Sequence, residues 1–248
     1  MVDIQQLNDY IDDLLQLHQF KDYCPNGLQV AGSQKIKKIV TGVSANLALI
    51  QAAQTANADA LLVHHGFFWK GENPCIVAIK RQRIAALIKN DINLLAYHLP
   101  LDAHPIYGNN AQLGQLLGFT FEHTLKAEPL VFCGHVTKTM TGTAVKEKIT
   151  QVLQRAPLHI PATRPIKTVA WCSGGAQSML EAVALTGIDA YITGEISEQI
   201  THIAQEYDIH FFAAGHHATE SYGVQALGQH LAEHFNLEHQ FIDIPNPV

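Results

Sequence analysis

The chain has 248 residues, 47% of them hydrophobic, enough for one large or two small domains with ordinary cores. A formal net charge of −6 and a charged fraction of only 15% exclude a broad basic face, so a nucleic-acid grip driven by counterion release has no support. No apolar run approaches about 20 residues and no signal-like segment opens the chain, so no membrane partner and a cytoplasmic location are expected. The four cysteines, Cys24, Cys75, Cys133 and Cys172, are far apart and form no C-x-x-C pair. That argues against a disulfide framework and a zinc-thiolate site, and for small buried hydrophobes in a reducing compartment.

Taken in chain order, Asp3 is placed to cap a helix carrying Ile4, Leu7, Ile11, Leu14 and Leu15 on one face. Pro25-Asn26-Gly27 signals a turn. Ile36–Val43 reads as a strand, Leu47–Ala56 as a helix and Ala60–Val63 as a short buried strand. A loop from Gly66 to Pro74 leads to a helix over Ile76–Lys89 and a strand over Ile92–Tyr97. Pro100 and Pro105 predict loop from His98 to Pro105, and Asn110–Leu117 reads as a helix ended by Gly118.

The second half repeats this programme. Leu130–Val136 reads as a strand and Ala144–Leu153 as a helix, followed by a connection marked by Pro157, Pro161 and Pro165. Ile166–Val169 then mirrors Ile36–Ile39, and Asp189-Ala190-Tyr191-Ile192-Thr193 mirrors Asp59-Ala60-Leu61-Leu62-Val63 at the same spacing. Strands alternating with helices predict an α/β protein with mostly parallel sheets covered by helices. The expected plan is two similar α/β domains related by internal duplication and meeting at a cleft, residues 1–126 and 127–248.

Histidine is the compositional anomaly, 15 residues against 16 Lys plus Arg. His64-His65 ends one strand, with Gly66 expected to permit the turn that would aim both rings at one site. His98 and Asp102 stand four apart, as do His216 and Glu220, and Glu195 follows the Thr193 strand. All lie at or just past the carboxyl ends of strands, where α/β sheets bind ligands. Imidazoles plus carboxylates in this placement suit one or two transition-metal ions, with N/O ligation admitting Zn, Fe, Mn, Co or Ni. Ser173-Gly174-Gly175 reads as a tight turn in preference to an anion loop. Gly66-Phe67-Phe68-Trp69-Lys70 places aromatic surface beside the histidine pair, either as a loop core or as a platform for a flat ring. No G-x-S-x-G occurs, and no cysteine neighbours these histidines in sequence.

Several segments together resemble one family. They are Pro25-Asn26-Gly27-Leu28-Gln29-Val30, His64-His65-Gly66, His98-Leu99-Pro100-Leu101-Asp102, Thr193-Gly194-Glu195, Gly215-His216-His217-Ala218-Thr219-Glu220 and Phe241-Ile242-Asp243-Ile244-Pro245-Asn246-Pro247. They are similar, in order and over the whole chain, to the YbgI family, the NIF-three-like proteins often labelled GTP cyclohydrolase I type 2 homologues. The resemblance implies two three-layer α/β/α domains with a dinuclear metal site in the cleft between them. Its ligands would be His64, His65, Asp102, His216 and Glu220, with Glu220 reaching both ions. It also implies a homo-oligomer, a toroidal hexamer. His98 is similar to a family histidine beside the metals, and the internal echo suggests a further ligand or a proton shuttle.

The chemistry expected is metal-dependent hydrolysis by a metal-bound hydroxide, with His98 moving protons and a nucleotide or other small molecule as substrate. The rival readings are a phosphoesterase or amidohydrolase using the same site, and a non-catalytic metal-binding, assembly or regulatory protein.

Overall fold

The computed structural model describes the whole chain, Met1–Val248. Its elements run β1 (Val2–Asp3), α1 (Ile4–Leu14), β2 (Gly27–Val30), β3 (Lys35–Ile36), β4 (Lys38–Ser44), α2 (Leu47–Thr55), β5 (Ala60–His65), α3 (Ala78–Lys89), β6 (Asn93–Ala96) and α4 (Leu99–Ala103). They continue with α5 (Asn109–Leu116), β7 (Phe119–Leu125), β8 (Glu128–Met140), α6 (Gly142–Leu153), β9 (Leu158–Ile160), β10 (Ile166–Trp171), α7 (Leu180–Ala184) and β11 (Ala190–Thr193). The last are α8 (Glu198–Glu206), β12 (His210–Ala213), α9 (His216–Thr219), α10 (Ser221–Phe235) and β13 (Glu238–Phe241).

Two compact units result: Met1–Gly108 with Gly223–Pro245, and Asn109–Tyr222 with Asn246–Val248. This differs from a division at residue 126. β13 adds in parallel to β4, pairing Glu238 with Lys38 and Phe241 with Thr41. Val224, Leu227 and Leu231 of α10 are buried with Leu7 and Ile11 of α1. Residues 109–126 go the other way, because Leu113 and Phe119 are buried with Trp171. Nothing local to either segment announces its destination; burial of its apolar face decides it.

The first unit holds a sheet of order β13-β4-β5-β6-β2. Val40, Leu61, Val63 and Leu94 face Leu49, Ile50 and Ala53 of α2 and Ile84 and Leu87 of α3. The alternate residues Ile39, Ala60, Leu62 and Leu95 face α1 and α10, as the twofold period of a strand requires. The second unit has order β7-β8-β10-β11-β12-β9. Val169, Trp171, Ile192 and Phe212 pack on Leu113 of α5 and Val145 and Ile149 of α6. Ala170, Tyr191 and Phe211 pack on Leu180 and Val183 of α7 and Ile200 of α8. Each sheet is buried on both faces, which makes each unit a three-layer α/β/α arrangement.

The units share a plan. In both, three central strands run parallel in chain order, β4-β5-β6 and β10-β11-β12, with an antiparallel edge strand, β2 or β9, beside the third. Ile39 pairs with Ala60 and Val169 with Ala190. One carboxylate oxygen of Asp59 accepts the Lys37 and Lys38 amides at 2.7 and 3.0 Å. Asp189 does the same for Lys167 and Thr168, at 2.9 Å each. The two aspartates whose equal spacing marked the sequence echo thus close the same strand entry.

Two local expectations change. The His98–Pro105 loop contains helix α4, because Pro100 lies in its first turn, where a proline costs no hydrogen bond. A hairpin of β7 on the 13-residue β8 extends well beyond the Leu130–Val136 strand read from sequence.

At the far edge of the second sheet, His210 donates from Nε2 to the Arg164 carbonyl at 2.8 Å and accepts the Ala162 amide at Nδ1, 3.1 Å away. That fixes its tautomer, so His159 donates from Nε2 to His210 Nδ1 at 3.0 Å. The His159 ring also stacks on Phe212, with centroids 4.3 Å apart. Burial, helped by His210 and Lys146, pulls His159 down to about 4. Its folded value lies below the unfolded one, so the stability it contributes is present above about 6.5 and is lost as pH falls towards 4. Wild type should therefore lose more urea resistance between pH 7.5 and 4 than His159→Phe, which keeps the stack. Equal losses in parallel urea titrations would refute the assignment.

Candidate metal centre

In the first unit three imidazoles come together. One nitrogen each from His64, His65 and His98 lies within 4.8 Å of the others. His64 and His65 end β5, and their ring centroids stand 4.6 Å apart. Strand alternation alone would put them on opposite faces, yet at the end of β5 the two rings come together. Gly66 does not supply the expected turn: its φ is not positive. It is glycine because a Cβ there would lie 2.3 Å from Gln29 Oε1 and 2.5 Å from Ala96 Cβ.

Each ring is held by its Nδ1. His64 Nδ1 donates to the Tyr97 carbonyl at 2.9 Å, leaving Nε2, which lies 3.4 Å from Asp102 Oδ1. His65 Nδ1 meets Ser44 Oγ at 3.1 Å. His98 Nδ1 lies 2.7 Å from Asp22 Oδ1. His64 is fully buried and Asp102 only 6% exposed. α4 explains the His98-Asp102 spacing: His98 stands at its N-cap position, without a side-chain capping bond, and Asp102 lies one turn on.

Asp22 and Cys24 lie beside His98, and the sequence reading missed both. Burial opposes ionisation of Asp22, yet hydrogen bonds from His98 and Asn26 and the Tyr23 amide outweigh it and hold the carboxyl near about 2. Ionised Asp22 therefore accepts from His98 Nδ1–H. It also receives the Leu99 amide at 3.0 Å, tying the start of α4 to the 20–27 loop. Burial first, then the charge of Asp22, pushes the Cys24 thiol up to about 12, which rules it out as a ready thiolate. Asp22→Ala should lower the melting temperature by about 3–10 °C, the loss of about 1–3 kcal/mol expected for stranding buried donors. A variant melting with wild type would remove Asp22 from this role.

In the second unit, His216 and Glu220 bracket the single turn α9. His216 Nε2 lies 3.1 Å from Glu220 Oε2, and Nδ1 lies 2.6 Å from Glu195 Oε1. Burial disfavours the charged ring, but Glu220 and then Glu195 overcome it by hydrogen bonding and charge and hold the imidazole up at about 9. Glu220 is 3% exposed. The Ser173-Gly174-Gly175 turn is part of this site. Gly174 has φ +67, and a Cβ on it would lie 2.1 Å from Glu220 Oε1 and 3.3 Å from His216 Nε2. Its amide donates to Thr219 Oγ1 at 3.0 Å. The turn is a cradle for the carboxylate, a role that no loop signature could announce.

Imidazoles pinned at Nδ1 by a carbonyl, a hydroxyl or a carboxylate, with buried carboxylates beside Nε2, are a donor set that fits a divalent transition ion and its outer shell. Two proton positions follow from it. Tyr97 keeps the His64 proton on Nδ1, and Glu195 can keep the one on His216 Nδ1 while Nε2 gives up its own to a cation. Of the remaining cysteines, Cys133 and Cys172 are buried and Cys75 is exposed.

Comparison with known proteins finds relatives over the whole chain. The family model described as Duf34/NIF3 (NGG1p interacting factor 3) matches residues 2–247. A Vibrio cholerae protein named GTP cyclohydrolase 1 type 2 homolog is 52% identical over 98% of both chains. One of the same name from Pseudomonas aeruginosa is 50% identical over 99% of this chain and 98% of its own. Among solved structures, the protein ybgI, described as of unknown function, superposes with a TM-score of 0.97 at 48% identity, covering all of both chains. A protein from Thermus thermophilus follows at 0.92 and 33%, again over the full length of both.

Proposed function

The chain belongs to the Duf34/NIF3 family, and on that premise we propose that it is a metal-dependent hydrolase in which His64, His65, Asp102, His216 and Glu220 hold two divalent transition-metal ions. The observation that carries this reading is the set of pinned imidazoles beside buried carboxylates in each unit. We further read the shared strand plan and the Asp59 and Asp189 brackets as the product of internal duplication.

When bound, such a pair of ions supplies Lewis acidity and lowers the pKa of water towards neutrality. The chain's own residues do the rest. Tyr97 O, Ser44 Oγ and Glu195 orient His64, His65 and His216. His98, held by ionised Asp22 at Nδ1, presents Nε2 as a proton carrier near His64 and His65, whose ring centroids lie 5.1 and 5.7 Å away. The relatives' name, GTP cyclohydrolase 1 type 2 homolog, makes a purine nucleotide the first substrate to try.

The test is elemental analysis of protein purified without added metal, followed by turnover against nucleotides, phosphoesters and cyclic amides. Metal with turnover supports the proposal; bound metal with no turnover on any class favours a metal-carrying or assembly role. We also propose a hexamer of this chain, for which sedimentation of a monomer at micromolar concentration would be decisive against. No helix is long and apolar enough to cross a membrane.

A further inference from the structure

We propose that Trp69 and Tyr23 form a stacking site for a flat heteroaromatic ring beside His98. The proposal deepens the hydrolase reading by naming a substrate class, and it rests on that reading only for the role of His98.

The loop after β5 is built against its own local preferences. Phe67 is 4% exposed and belongs to the core. Phe68 then takes φ +66, a left-handed conformation that strains a bulky residue. Trp69, which follows, is half-buried. The indole ring ends 5.0 Å from His98 at 84° and 5.9 Å from His65 at 54°. Four interactions hold the strained segment. Gln29 Oε1 accepts the Phe67 amide at 2.7 Å and Gln29 Nε2 donates to the Phe67 carbonyl at 3.2 Å. Glu72 Oε2 accepts the Trp69 amide at 3.1 Å. Lys80 Nζ sits 4.9 Å above the Phe68 ring.

The second wall is Tyr23. It is 60% exposed, an unusual state for an aromatic side chain held in an ordered loop. Its ring is 6.3 Å from that of His98. Its backbone is fixed at both ends, since its amide donates to Asp22 Oδ1 at 2.6 Å and its carbonyl accepts the Lys70 amide at 2.6 Å. The loops bearing Tyr23 and Trp69 are therefore tied together, and both aromatics flank the imidazole assigned to proton transfer. Indole and phenol faces bind any flat π system, and His98 Nε2 can bond a polar ring edge. A planar ring with nitrogen or oxygen at its edge meets both demands; an aliphatic or purely sugar substrate meets neither.

Fluorescence tests this in the protein as purified. The chain has two tryptophans, and Trp171 is 1% exposed, so a bound ring quenches Trp69 while Trp171 acts as a silent reference. The probe is guanosine monophosphate and the control is ribose phosphate, which carries the same charge and metal-binding group without the ring. We expect saturable quenching by the nucleotide and none by the control. By equilibrium dialysis, Tyr23→Ala should bind the nucleotide roughly tenfold more weakly and Trp69→Leu more weakly still, with Trp69→Phe close to wild type. Tyr23 is exposed, so Tyr23→Ala remains informative even if Trp69→Leu fails to fold. Absent quenching, an equal response to ribose phosphate, or wild-type affinity in Tyr23→Ala and Trp69→Leu would each overturn the stacking site. Binding needs no turnover, so the two readings fail separately. A protein that binds the nucleotide but hydrolyses nothing refutes the hydrolase alone. One that turns over a ring-free substrate without binding the nucleotide refutes the stacking site alone.

Discussion

Gly174→Ala is expected to lower metal affinity by up to about 100-fold and to destabilise the protein by about 2–4 kcal/mol. Two effects combine. The position has φ +67, where any Cβ is strained, and that Cβ would stand 2.1 Å from Glu220 Oε1 and 3.1 Å from its Cδ. The overlap cannot be relieved by turning a flexible tip outward, because Glu220 is 3% exposed and His216 Nε2 lies 3.1 Å from its other oxygen. Either the carboxylate leaves its position or the turn opens, and opening it breaks the Gly174 bond to Thr219 Oγ1. Elemental analysis with thermal denaturation reads both effects. A Gly174→Ala protein with full metal and unchanged melting would show that the cradle is not required.

Glu220→Ala is expected to lose most bound metal, while His98→Ala keeps most of it. In the proposed site Glu220 would help hold both ions, and a carboxylate shared by two cations would offset much of their repulsion. Its removal also strips His216 of its carboxylate partner on the Nε2 side, 3.1 Å away, leaving Glu195 alone at 2.6 Å from Nδ1. His98, in contrast, is committed at Nδ1 to Asp22, and its loss leaves His64, His65 and Asp102 in place. Metal content of both variants, with folding verified by circular dichroism, decides the matter. Equal occupancy in Glu220→Ala and wild type would refute bridging. His98→Ala retaining full turnover on any substrate found would refute its proton-transfer role.

The chain itself determined a good deal. Alternating apolar runs and helical faces gave the α/β class, and the equal spacing of Asp59 and Asp189 from their strands marked the strand plan that the two units share. The same physics acts in sequence and in space there, since each aspartate closes its own strand entry through amides about 20 residues away. His64, His65, His98, Asp102, His216 and Glu220 could be named as candidates because strand ends and four-residue spacings are local features.

Tertiary structure decided the rest. It drew residues 223–245 into the first unit through β13 and the apolar face of α10, a choice made by burial between distant segments. It made His98–Asp102 a helix start by placing Asp22 and Asn26 where they accept the Leu99 and His98 amides at 3.0 and 2.7 Å. It brought Asp22 to His98 across 76 residues, Glu195 to His216 across 21, and Gly174 under Glu220 across 46. Such outer partners carry no sequence signature, because an aspartate, a glutamate and a glycine in loops are ordinary residues until packing gives them a neighbour. The sequence could name the groups able to bind a metal; only packing could fix where their protons sit and which surfaces approach too closely for a side chain.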